Sequence, residues 1–220
     1  MTQHRTLHFY ESTPGKKAVM AVSGVILFGF VLGHLAGNLQ VYEGPEKINA
    51  YAQFLRSIPA ALWGARIALL GMVVLHVWSS ISLGIRKLHA RPLGYVKKAS
   101  IASTYASRTM YWSGPIIAAF IIYHLLHFTF GVVHPNFQEA DVYANVVNGF
   151  KVIPVSAFYI FAMLLLGMHL QHGLWSMFQT LGFSHPRYTP WLRHLATALS
   201  VLIVLGNISI PIAVMAGWVS

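Results

Sequence analysis

The sequence contains no cysteine in its 220 residues. Disulfides, thiolate metal sites, iron–sulfur ligation and covalently attached c-type haem are therefore excluded together. Charge is scarce as well, at 9% of residues, where soluble domains carry about 25%. Acidic residues are scarcest of all: Asp and Glu number five against fifteen Lys and Arg. None of the five lies in a long apolar stretch, which argues against a proton-driven transporter built on buried carboxylates. A net charge of +10 suggests a nucleic-acid partner only until the charges are placed. They fall between apolar runs, where anionic lipid is the expected contact and no nucleic acid is needed.

Hydrophobic residues make up 56% of the chain. Five stretches reach the roughly 20 apolar residues that a bilayer requires: Ala18–Leu39, Ala60–Ile85, Thr109–Gly131, Pro154–Phe178 and Leu192–Trp218. The expected fold is all-α, a single five-helix transmembrane bundle over residues 1–220. Pro115, Pro154 and Pro211 fall near helix starts or in a final half-turn, where proline is tolerated. The polar first 15 residues and the long first apolar run do not read as a cleavable leader.

Basic residues set the orientation. Arg5, Lys16, Lys17, Arg86, Lys87, Arg91, Lys97, Lys98, Arg108, Arg187 and Arg193 fall on one side, and only Lys47, Arg56, Arg66 and Lys151 on the other. The N-terminus is thus expected in the cytoplasm, in a multi-pass protein of a bacterial-type cytoplasmic membrane. The basic segment from Arg86 to Arg108 serves as an orientation signal, a docking surface for a peripheral partner, or both.

Histidine is abundant, and six of the twelve lie inside the spans: His34, His76, His124, His127, His169 and His172. One such residue alone is commonly an interhelical hydrogen-bonding group. Four helices that each carry one at matched depth call for another explanation. With a helical rise of about 1.5 Å per residue, His34 and His124 lie roughly 24 and 22 Å from the inner helix ends, and His76 and His169 about 14 Å. Two levels of paired histidines suit two b-type haems, each iron taking an axial ligand from either side. Zinc prefers three or four ligands at one point. The pairs His124/His127 and His169/His172 lie three residues apart on shared helix faces, so spacing leaves open which member of each would ligate. Gly29, Gly33 and Gly37 form a stripe beside His34 that serves either close helix packing or a flat cofactor face.

In these motifs the chain resembles the membrane-anchor cytochrome b of succinate dehydrogenase and fumarate reductase, in its single-chain, five-helix, two-haem form (the cytochrome b558 kind). The resemblance rests on Ser23-Gly24 followed by His34, on Val74-Leu75-His76, and on Ser113-Gly114 followed by Tyr123-His124. It also rests on His169-Leu-Gln-His-Gly-Leu-Trp175-Ser176. It implies that His34 and His124 ligate a distal haem b, and His76 and His169 a proximal one. His127 and His172 are then not ligands. It further implies an FAD-containing flavoprotein subunit and an iron–sulfur subunit docked on the cytoplasmic face. A membrane quinone, in the form of menaquinone, would bind near the distal haem. For that quinone site His127, Arg66 and Glu46 are the candidates, each also readable as an ordinary helix-end or loop group. The segment Glu46–Ser57 has the spacing of a short amphipathic helix on the outer surface. Rival readings are the haem b subunit of another quinone-linked dehydrogenase or hydrogenase, and a haem-free transporter that uses the histidines for protons.

Overall fold

The computed structural model describes residues 9–90 and 105–220, which contain helices and no strand. Arg5, and Arg91, Lys97 and Lys98 of the basic segment, lie outside the described residues. Helix α1 spans Thr13–Asn38 and runs into a 3-10 turn, Leu39–Glu43. A short α2 (Pro45–Ser57) leads to α3 (Pro59–His89). Helix α4 (Tyr105–His124) continues as a π turn over Leu125–Thr129, and a second short helix, α5 (Val142–Lys151), precedes α6 (Ile153–Thr180) and α7 (Thr189–Met215). Five of these elements are long and apolar enough to cross a membrane: Thr13–Glu43, Pro59–His89, Arg108–Thr129, Ile153–Thr180 and Thr189–Met215.

Local chemistry explains the ends. Helix α1 begins five residues before the apolar run because Ser12 caps it, its Oγ accepting from the Gly15 N–H at 3.0 Å. Helix α7 stops at Met215 rather than Trp218. Gly217 adopts φ 75°, and the Trp218 N–H donates to the Ala213 carbonyl at 2.9 Å, closing a Schellman cap. Pro211 sits inside α7, as transmembrane helices allow. Helix α2 occupies the segment read as amphipathic. Helix α5 is an addition that hydrophobic length alone does not announce.

Helix α1 packs on α3, α4 on α6, and α6 on both α7 and α1. At the face opposite the start of α1, called the far face below, α2 packs on α5. Asn49 and Asp141 join the two, the Asn49 amide donating to Asp141 Oδ1 at 2.9 Å and the Tyr143 N–H to Asn49 Oδ1 at 3.1 Å. The hydrophobic core lies under this cap, around Val41, Ile48, Val147, Phe150, Tyr159 and Ile210. Along α3, Trp63, Ile67, Leu70, Val74, Trp78 and Ile81 form one exposed stripe, the face such a helix turns to lipid.

Candidate functional site

Four helices bring the histidines to two levels. His34 of α1 and His124 of α4 approach with ring centroids 5.7 Å apart, and His76 of α3 and His169 of α6 at 6.2 Å. Each pair crosses a gap, since neither α1 with α4 nor α3 with α6 forms a packed helix pair among the described residues. The levels can be measured on the protein itself. His76 meets α1 at Met20 and Ser23, and the ten residues from Gly24 to His34 add about 15 Å along the axis. On α6, Tyr159 reaches His124, and His169 lies ten residues further on, again about 15 Å.

Surrounding groups fix the rings. His34 stacks on Phe30 at 5.3 Å, and His124 on Phe120 at 5.9 Å. His76 Nδ1 lies 3.1 Å from the Met20 carbonyl oxygen. A carbonyl only accepts, so Nδ1 carries the proton and Nε2 keeps its lone pair for a ligand. Ser23 Oγ stands 3.3 Å from the same Nδ1. Gly24 lets this ring lie close: a Cβ would come within 3.3 Å of His76 Cε1 and crowd it. By contrast, a Cβ on Gly29, Gly33 or Gly114 would meet nothing within 4 Å. The α1 stripe therefore borders open space at Gly29 and Gly33, and only Gly37 is used for close packing, against Tyr51.

These features fit a haem between each pair. An iron with nitrogen at about 2 Å on either side sets two imidazole centroids roughly 6 Å apart, which both pairs approach. The donor set is two imidazoles per level. No cluster of three or more His, Asp or Glu that could hold a bare metal ion occurs among the described residues. His169 Nδ1 is buried without a hydrogen-bond partner.

The second histidine of the α4 pair, His127, parts company with His124. The π turn carries the Phe130 N–H to the Leu125 carbonyl, five residues back, at 2.9 Å, and such turns reorient side chains. His127 is fully buried, its Nδ1 3.0 Å from the Tyr159 hydroxyl and its Nε2 unpartnered. The same hydroxyl lies 3.4 Å from His124 Nδ1 and so bridges the two rings. His134, outside the spans, stacks on His127 at 4.8 Å. The Asn136 N–H donates to its Nδ1 at 3.1 Å, and its Nε2–H donates to the Asn145 carbonyl at 2.9 Å. Gly149 admits both rings; a Cβ there would lie 2.9 Å from His127 Cε1. Tyr159 and His134 are absent from the sequence-derived site. Of the quinone candidates, only His127 joins this cluster. Arg66 is exposed over Trp63 at 5.1 Å, and Glu46 is exposed in the first turn of α2.

Residues 89–208, more than half of the chain, match the family described as succinate dehydrogenase/fumarate reductase transmembrane subunit. The protein belongs to that family, a class of multi-pass membrane anchors that associate with the flavoprotein and iron–sulfur subunits of the complex. The matched region carries His124, His127, His169 and His172, whereas His34 and His76 precede it. Neither the curated proteins nor the solved structures compared with the chain gave a match.

Proposed function

We propose that this chain is the two-haem cytochrome b anchor of a succinate:quinone oxidoreductase, carrying electrons between the iron–sulfur subunit and membrane quinone. The observation that carries the reading is the meeting of four histidines as two pairs, at two depths, across gaps that no packed helix pair closes among the described residues. The face where α1 begins is cytoplasmic. Lys17, Arg86, Lys87, Arg108, Arg187 and Arg193 gather there on described elements or loops, as the positive-inside rule requires. Haem, when bound, supplies a one-electron carrier whose potential follows from its axial ligands and their hydrogen bonds.

The chain's own residues do the positioning. His34 and His124 hold the distal level, and His76 and His169 the proximal one. The Met20 carbonyl fixes the His76 tautomer. At the distal level His124 Nδ1–H donates to the Tyr159 oxygen, and the Tyr159 O–H donates to His127 Nδ1, so the half-buried His124 and the buried Tyr159 and His127 form one chain. That chain ends toward the far face, where a quinone, menaquinone by the family resemblance, would take up or release its protons. His127 is the quinone-side candidate that the geometry favours over Arg66 and Glu46.

The test is a dithionite-reduced minus oxidised spectrum of the purified complex, followed by addition of a quinol. Two low-spin b haems per chain, both reduced by menaquinol, are expected. A chain that folds and assembles with its partner subunits yet shows no haem signal contradicts the reading.

A further inference from the structure

The two halves of the bundle repeat. Helices α1, α2 and α3 run through a span, a short helix at the far face and a returning span, and α4, α5 and α6 do the same. The sequence keeps the register at an offset of ninety residues: Met20 and Met110, Ser23 and Ser113, Gly24 and Gly114, Phe30 and Phe120, His34 and His124. Serine and histidine eleven residues apart lie about three turns apart on one helix face. The structure honours the repeat at the distal level, where Phe30 stacks on His34 as Phe120 stacks on His124. His34 and His124 are equivalent at that offset, and His76 and His169, 93 residues apart, hold corresponding places on the two returning spans. That is the outcome of a pseudo-twofold axis along the membrane normal.

At the proximal level the repeat is only half expressed. Ser23 Oγ stands 3.3 Å from His76 Nδ1 and is anchored by donating to the Val19 carbonyl at 2.8 Å. Its equivalent, Ser113, is fully buried with Oγ unpartnered, although a serine inside a helix usually bonds back to its own backbone. The equivalent imidazole nitrogen, His169 Nδ1, is also buried and unpartnered. Both atoms belong to the packed α4–α6 pair, and their levels agree. From the contact between His124 and Tyr159, Ser113 lies eleven residues along α4 and His169 ten residues along α6, about 16 and 15 Å in the same direction.

We infer that Ser113 is the positioning residue of His169, its Oγ accepting the Nδ1–H as Ser23 and the Met20 carbonyl hold His76. The inference rests on the two-haem reading. The bond fixes the tautomer that leaves His169 Nε2 for iron and raises the basicity of the ligand, which favours the ferric state. In the structure neither atom bonds to the other, and the inferred bond would satisfy two buried polar groups at matched depth.

The test is a redox titration of the assembled complex, with the proximal haem identified as the component lost in His76→Ala. Ser113→Ala is expected to raise the midpoint potential of that haem and leave the distal one in place. Ser113→Thr, which keeps the hydroxyl, restores the wild-type value. Ser23→Ala shifts the same haem in the same direction, and Ser200→Ala, a buried hydroxyl on α7, shifts neither. If Ser113→Ala loses the proximal haem outright, the threonine variant decides: a wild-type potential supports the inference and a displaced one overturns it. An unshifted potential in a two-haem Ser113→Ala complex overturns the inference alone. A wild-type chain without haem overturns both it and the proposed function.

Discussion

The far half of the bundle and the half where α1 begins are built on different principles. The far half has its own core: α2 and α5 close it, aromatic rings from α4, α5 and α6 interlock, and Asn49 and Asp141 tie the cap together. The other half has little of this. Its fully buried side chains include the small Ser23, Ser79 and Ser113, and its basic residues are mostly exposed. Between Thr13, Pro14, Lys17, Met20, Ser176, Gln179 and Thr180 lies a cavity of about 430 Å³. One half is finished by its own side chains. The other keeps hydroxyls and space for groups that arrive from outside, which suits the face proposed above to meet the partner subunits.

This contrast can be broken in four ways. The largest effect belongs to Gly24→Leu: the added side chain displaces His76, and the proximal haem is lost while the distal one remains, read as half the wild-type haem content. Next, Phe150→Ala hollows the far core and is expected to cost about 3–5 kcal/mol, whereas Phe161→Ala on the exposed side of α6 costs no more than about 0.5 kcal/mol. Thermal unfolding in detergent separates the two. Tyr159→Phe removes the hydroxyl between His124 and His127, leaving buried imidazole nitrogens unpaired at about 1–3 kcal/mol, and shifts the distal haem potential with no shift at the proximal one.

The smallest effect is at Asp141. Its carboxyl is held below the usual carboxylate range by the Ala144 N–H it caps and by the Asn49 amide. A depressed folded-state pKa means that the stabilisation is complete above the unfolded value of about 3.9 and fades as pH falls through the lower folded value. Asp141→Ala should therefore cost about 1 kcal/mol at neutral pH, and the difference from wild type should vanish in strong acid.

Most of the architecture was legible because apolar length and loop charge are long-range averages that survive local error. The five spans follow from such averages, the far-side helix at Glu46–Ser57 from its amphipathic spacing, and the two histidine levels from the helical rise. Helix α5 was harder, being only ten residues long. Yet Asp141 as a cap, followed by Val142, Val146, Val147 and Phe150 on one face, is the signal that could have found it. The π turn has no comparable signal in the residues that form it. It accompanies the packing of His127 between Tyr159 and Gly149, residues distant in sequence. The ambiguity of His124 and His127 could not be settled from spacing because three-residue spacing assumes a regular helix, and the helix changes pitch between them. Arg66 and Glu46 are a helix-end and a loop group in the sequence, and such a position does not say which way a side chain faces.

The pairing of histidines across the two halves is the central claim, and haem counting in single and double variants tests it most directly. The wild-type chain should bind two haems, while His34→Ala, His124→Ala and their double variant should each bind one, since both residues serve the same site. His34→Ala combined with His76→Ala should bind none. A His34→Ala/His124→Ala chain that folds and has lost both haems, or single variants that each remove a different spectral component, would contradict the pairing.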